Sequence, residues 1–418
     1  MRVSLGRQWP LFMNMTWYKP RWWVFGIAVV AHLIIIGGDF WVDAYPENSY
    51  DEARYVFYGE SIRAGRGMHA PGYEDKPTAY VMPTLPLMIA AIGTESLIPL
   101  RIVQLILGGL VAVLVFHLGQ TITKQDQIGW LGVFFLMANL AWMQQPLYVL
   151  TEPLFIVLLL LATYFMIDRP ERWQHMIGIG VTLGLAWLTR GALIGPLMTI
   201  YPYLWWRLGF KKMVIVGLVM SAVIMPWIVR NYFAFDTFVA TSTQSGNVLA
   251  GAYNDIVYEN PWGDGWINPD QIYREQVSEA LFNDELAYAN YQYERGVEWI
   301  QNNPEKLPKL FAAHFLGFVR PWFKVARNDI EFLYVFATWF ITVPLILYGS
   351  WYAVKNRIEA FVLMLLIIGG GFITGIFLFA IPRYRLPFIP YFALLQALAV
   401  WQLWLRFPKT RSDTAAAE

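Results

Sequence analysis

Cysteine is absent from the 418 residues, which excludes disulfides and thiol chemistry while leaving the redox compartment open. Charge is scarce too. Lys and Arg number 31 against 30 Asp and Glu, 15% of the chain in all, for a formal net charge of +1. So even a balance offers no electrostatic footprint for a nucleic-acid partner. No repeat of solenoid length and no low-complexity tract interrupts the chain; a short polar tail follows Pro408.

What is present is apolar. Hydrophobic residues make up 57% of the chain, and the mean hydropathy is +0.41. Apolar runs of about 18 residues or more recur, the length a helix needs to cross ~30 Å of hydrocarbon. Tryptophans gather at run ends, as in interfacial belts: Trp22, Trp23, Trp41, Trp205, Trp206, Trp401 and Trp404. This is an all-α polytopic membrane protein. About ten spans are expected, near 22–38, 98–119, 128–143, 147–167, 176–190, 192–206, 213–229, 332–353, 359–380 and 386–405. Residues 83–97 are too short to cross and should lie along the interface or re-enter. The first run lacks a small-residue cleavage site and reads as an anchor.

With the N-terminus inside, every short inner loop is basic: Lys124; Arg169 and Arg172; Arg207, Lys211 and Lys212; Lys355 and Arg357; Arg406, Lys409 and Arg411. The resulting organisation is a cytoplasmic lead (1–21), an N-terminal membrane module (22–229) whose first outer loop is 39–82, an outer helical segment (230–330), C-terminal membrane helices (331–405) and a cytoplasmic tail (406–418). The weak point is the pair of short spans turning around Arg190; a single span there would invert everything after it. In the outer segment, Leu310, Phe311, His314, Phe315 and Phe318 form one stripe, either a small domain's core or a surface for the bilayer interface.

The first outer loop carries Tyr50-Asp51-Glu52-Ala53-Arg54-Tyr55 and, further on, Gly72-Tyr73-Glu74-Asp75-Lys76-Pro77. Ser49 and Glu52 fit a capping box, so a helix should begin at Tyr50. On it, Asp51, Arg54, Tyr55 and Tyr58 share one face. The bland alternative is that first-turn acids only answer the helix dipole. Other charges near the membrane fall on the same outer side: Arg101, Glu152, Arg190, Arg230, Arg383 and Arg385. Charges inside a membrane protein are functional candidates by default. Each arginine taken alone could instead snorkel to lipid phosphates. His32 and His117 lie within apolar runs and read as core or lumen residues.

These pieces, in order, resemble the polyprenyl-phosphate-dependent membrane glycosyltransferases of the GT-C fold, in the branches of the protein O-mannosyltransferases and the aminoarabinose transferases. The residues carrying the resemblance are Asp51 to Tyr55, Asp75-Lys76-Pro77 with Pro83 to Leu87, Arg101, Thr151 to Leu154, Leu188 to Gly191, Pro226 to Tyr232 and Pro382 to Pro387. The resemblance implies a GT-C-like bundle with its active site in outer loops. It implies Asp51 as the acid–base carboxylate, Glu52 completing the acidic pair and Glu152 as a second carboxylate. It places Arg54, Tyr55 and Lys76 at the donor phosphate, and Arg190, Arg230, Arg383 and Arg385, by their shared outer side, are expected to join them there. Relatives carry a glutamate associated with a metal where this chain has Asp75. That departure speaks against a bound metal; Asp75, and His69 as the one histidine of the first outer loop, are the candidates for a divalent ion, with no ligand spacing behind them.

The chemistry implied is transfer of a sugar from a polyprenyl-phosphate donor to an acceptor hydroxyl, on a lipid, a glycan or a protein, with inversion. Fixed guanidiniums would steady the departing phosphate, and a carboxylate would take the acceptor's proton. The nucleotide-sugar apparatus of soluble transferases is then unnecessary, and neither a Gly-rich phosphate loop nor a D-x-D in a suitable context occurs. The setting would be the plasma membrane of a bacterium or archaeon, among membrane lipids, with both termini cytoplasmic. A transporter or flippase for lipid-linked sugars would instead carry polar residues through the membrane centre. A non-catalytic binder of such lipids would keep most of the same residues.

Overall fold

In the computed structural model the described residues are 21–44, 50–70, 76–260, 265–321, 329–378 and 382–406. Ser49, Asp75, and nearly all of the expected cytoplasmic lead and tail lie outside them. The described residues are helical throughout, apart from turns and one isolated β-bridge between His69 and Pro77.

Helix α1 (Trp22–Ile36) buries Val24, Ala28, His32 and Ile36, a four-residue spacing that makes one stripe. Helices α2 (Tyr50–Arg63) and α3 (Thr84–Ile92) follow and pack on each other, so the stretch 83–97 is a short helix lying against the loop helix. The α1 stripe meets α4 (Leu97–Thr123), a long and largely buried central helix capped by Ser96. Gly108 and Gly109 make that approach close: an added Cβ would sit 2.9 Å from the His32 ring and 2.6 Å from the Phe25 ring. His32 is a core residue as expected, its Nδ1 bonded to the Met143 carbonyl at 2.9 Å.

Next come α5 (Asp126–Met137), α6 (Leu140–Met143), α7 (Glu152–Ile167), α8 (Trp173–Thr189), α9 (Ile194–Leu208) and α10 (Phe210–Phe235). Helix α7 packs on α4 and α8, and α8 on α10. Asn139 ends the run of α5, its side chain capping α6 by accepting from the Trp142 N–H. The segment Leu140–Leu147 then meets Glu152–Ile167 at 118°. That bend sets Glu152 at the start of a helix inside the protein. Helices α8 and α9 are separate and turn around Arg190, the two-helix alternative for this region.

Helices α11 (Gln244–Ala252), α12 (Asp255–Glu259), α13 (Asp270–Tyr273), α14 (Glu279–Phe282), α15 (Glu285–Asn302) and α16 (Leu307–Val319) build a small helical unit. Its core gathers Ala252, Tyr253, Val257 and Leu310, with Trp266, Trp299 and Phe311 around them. The α16 stripe is therefore mainly core: Leu310, His314 and Phe318 are buried, while Phe315 stays 42% exposed. Tyr253 donates to the Phe377 carbonyl and His314 Nδ1 meets the Ile376 carbonyl, which pins the unit to the end of α18 (Glu359–Phe377).

The remaining helices are α17 (Asp329–Lys355), which packs on α18 and α19, and α19 (Ile389–Trp404), which packs on α5. Ile330, Leu333, Phe340, Ile341 and Leu347 of α17 are exposed, an apolar face suited to lipid.

Six helical segments among the described residues are long and apolar enough to cross a membrane, or seven if the bent pair counts as one. The other expected spans fall on α5, α8 and α9, of 12, 17 and 15 residues, because Asn139 and the Arg190 turn cut their apolar runs short. Charges segregate to the two ends of the bundle. Arg21 with Asp126, and Arg207 with Glu359, pair at one end; Glu152 and Arg383 meet at the other.

Candidate active site

Helix α2 delivers the first carboxylate. Asp51 sits in its first turn and Arg54 one turn on, with Arg54 Nη1 3.9 Å from Asp51 Oδ1. The second comes from the bend before α7, where Glu152 is wholly buried. The short helical turn Pro382–Phe388 brings Arg383 between them, from 332 residues away in sequence. Its Nη1 donates to Asp51 Oδ2 at 2.8 Å and its Nε to Glu152 Oε1 at 2.5 Å.

Arg190, at the α8–α9 turn, completes the arrangement. Its Nη1 lies 2.9 Å from Glu152 Oε1 and 3.0 Å from Thr151 Oγ1, and its guanidinium covers the Tyr384 ring at 4.9 Å. Arg54 in turn lies over the Tyr80 ring at 4.7 Å. Three guanidiniums thus meet two carboxylates, a net charge of +1 for these five groups. A charge-assisted pair is the strongest kind of hydrogen bond, and a guanidinium fork suits carboxylate and phosphate alike. An incoming phosphate could therefore replace a carboxylate on Arg383 without changing the type of bond.

The two acids are not equivalent. The Asp51 side chain is 48% exposed, whereas that of Glu152 is 0% exposed between its two arginines. Asp51 is the carboxylate that a substrate can reach. Tyr55, on the same face of α2, has its hydroxyl pKa pushed up by desolvation and further by the Asp51 charge. Burial likewise pushes Tyr58 up to about 12, so both phenols stay protonated donors at neutral pH.

Several expected site residues have other partners. Glu52 is buried and its Oε1 accepts from the Val149 N–H at 2.9 Å, tying α2 to the segment before α7. Arg230 donates to the Thr78 and Met68 carbonyls at 2.8 and 3.0 Å, bracing the loop between α2 and α3. Arg385 donates to the Phe318 and Arg320 carbonyls, both at 2.8 Å, holding the end of α16. Arg101, fully buried, donates to the Phe40, Val42 and Ala44 carbonyls beyond α1. Lys76 Nζ reaches the Asn283 carbonyl at 3.1 Å. His69 pairs by backbone with Pro77, and no group of three potential metal ligands occurs among the described residues.

The structure adds Thr151, Tyr80 and Tyr384 to the site. Thr151 and Tyr384 stand inside the sequence pieces already singled out, beside Glu152 and Arg383. Tyr80, four residues after Lys76, had no signal of its own, because only the fold brings its ring under Arg54.

Residues 90–240, from the end of α3 past α10, match the family model described as dolichyl-phosphate-mannose-protein mannosyltransferase. No curated protein matches the chain. Among solved structures, the chain is similar to ArnT from Cupriavidus metallidurans bound to undecaprenyl phosphate. The identity is 12% over 91% of this chain and 77% of that one, with a TM-score of 0.41. It is also similar to the apo state of ArnT from the same organism, at 13% identity over the same shares, with a TM-score of 0.39.

Proposed function

We propose that this chain, whose residues 90–240 match the dolichyl-phosphate-mannose-protein mannosyltransferase model, is a membrane glycosyltransferase that moves a sugar from a polyprenyl-phosphate donor to an acceptor hydroxyl. The observation that carries this reading is the cluster of Arg54, Arg190 and Arg383 on Asp51 and Glu152, one positive charge in excess, with Asp51 alone among the acids open to solvent.

Arg383 and Arg190, with Arg54 at the rim, hold the donor phosphate and stabilise the negative charge that builds on it as the bond to the sugar breaks. Glu152 aligns the two guanidiniums rather than reacting. Asp51 accepts the proton of the acceptor hydroxyl as its oxygen attacks the anomeric carbon. The electron pair of the cleaved carbon–oxygen bond leaves with the lipid phosphate. Attack opposite the leaving group inverts the anomeric centre. The site lies on the outer side of the membrane, as the basic inner loops imply, and the lipid tail runs between membrane helices below it.

Asp51→Asn tests the assignment. It keeps size and much of the hydrogen bonding but cannot take a proton. Losing a positioned general base lowers transfer by about 10²–10⁴-fold, whereas a helix-terminal charge alone is worth only about 0.3–1 kcal/mol of stability. The folded variant should bind donor and fail to transfer. Near-normal transfer by folded Asp51→Asn would remove Asp51 from the chemistry.

A further inference from the structure

Next to the site, a cavity of about 890 Å³ opens between the α2–α3 loop and the small helical unit. It is within the roughly 300–1,000 Å³ range of ligand pockets. Arg54 belongs to both, lining the cavity and standing 3.9 Å from Asp51. Arg54, one helical turn from Asp51, thus links the cavity to the proposed base.

The charge of the lining differs from that of the site. Asp236, Asp270, Asp284 and Glu285 face it against Arg54 and Lys76, so acid is in excess. Such a wall repels a second phosphate and suits a neutral or basic ligand. Two of the acids are held in place by one oxygen each. Asp270 Oδ1 accepts from the Tyr288 hydroxyl at 2.9 Å and from Gln292 at 3.2 Å. Glu285 Oε1 accepts from the Ala79 N–H at 2.9 Å and from the Thr243 hydroxyl at 2.7 Å. The second oxygen of each is then available to a donor from a ligand. Phe233, 80% exposed, and the half-buried Phe235 and Phe282 supply flat apolar faces beside these polar groups.

Fixed carboxylate and amide groups alternating with aromatic faces match a molecule whose edges are hydroxyls and whose faces are C–H: a carbohydrate. An extended peptide would look for a strand edge to pair with, or a helical one for an apolar groove. The described residues contain no strand, and four carboxylates interrupt the apolar surface of this wall. Resting on the transferase reading above, we infer that the cavity is the acceptor site and that the acceptor is a glycan, presented through its sugar hydroxyls rather than through a serine or threonine of a protein.

The test uses the fluorescently tagged full chain in detergent, overlaid on a printed array of neutral and amino-sugar glycans and on an array of Ser/Thr peptides. The wild type should be retained on a set of glycans and not on peptides. Asp270→Asn, which keeps the side-chain shape, should lower that retention about tenfold or more, the size of a lost charge-assisted hydrogen bond. Ala280→Trp, which fills the cavity from an exposed position on α14, should do the same without touching the bundle. Donor breakdown to free lipid phosphate, in which water replaces the acceptor, is measured in parallel and should be unchanged in both variants. Retention on peptides alone, no glycan retention, or glycan retention that survives both variants overturns the inference. Failure of the wild type to break down donor would instead count against the transferase reading and leave the array result to be judged by itself.

Discussion

Two sets of arginines occupy the same end of this molecule and differ in what they hold. In the cleft between α2, α7 and the Pro382–Phe388 turn, Arg190 and Arg383 meet carboxylates. Along the seams around it, Arg101, Arg230 and Arg385 meet backbone carbonyls. The distinction is chemical. An arginine on a carboxylate can pass to a phosphate and keep a charged acceptor. An arginine on two or three carbonyls ties backbone segments together, and moving it costs about 1–3 kcal/mol for each carbonyl left buried and unpaired. A charged residue near a membrane is thus a marker of importance whose role is decided by its acceptor.

The largest expected effect comes from removing the acid that joins the cleft together. Glu152→Gln leaves Arg190 and Arg383 without their shared buried charge, and breaking a buried pair in this way costs about 3–5 kcal/mol. Thermal inactivation in detergent should shift to markedly lower temperature, with transfer lost even in the folded fraction. Wild-type thermal behaviour together with normal donor binding would show that Glu152 does not organise the two guanidiniums.

A smaller effect is expected at Lys76, which belongs fully to neither set. Its ammonium donates to the Asn283 carbonyl at 3.1 Å, and its flexible stem can carry it to a phosphate. Lys76→Ala should raise the donor KM several-fold and leave kcat and thermal stability alone, as steady-state kinetics with a polyprenyl-phosphate sugar would read out. An unchanged donor KM would assign Lys76 to the brace between the loop and α14.

The comparison also explains what the sequence could reveal. The face of α2 bearing Asp51, Arg54, Tyr55 and Tyr58 follows from helical spacing, and Arg54 does lie next to Asp51. Glu152 and Arg383 stand out as charges beside apolar runs, which makes them functional candidates, although an arginine there could also snorkel to lipid phosphates. Their mutual contact was not legible, since Arg383 and Glu152 are 231 residues apart and no periodicity links them. Nor could spacing separate Arg383 from Arg385, two residues apart on one turn, one donating to acids and the other to the α16 carbonyls. The span count suffered for a related reason. Hydropathy reports apolar content, while the 118° bend before Glu152 and the short α8 and α9 are set by how helices pack around the cleft.

Arg383 and Arg385 therefore offer the most direct test of the central claim, that carboxylate-bound guanidiniums and not carbonyl-bound ones hold the donor phosphate. The measurement is the affinity of the purified, monodisperse chain for a polyprenyl phosphate, compared between Arg383→Gln and Arg385→Gln and corrected for the folded fraction. A lost guanidinium–phosphate contact is worth about 1.5–3 kcal/mol, so Arg383→Gln should bind about tenfold or more weakly, while Arg385→Gln should bind like the wild type however much stability it loses. Equal weakening in both, or weakening confined to Arg385→Gln, would contradict the account.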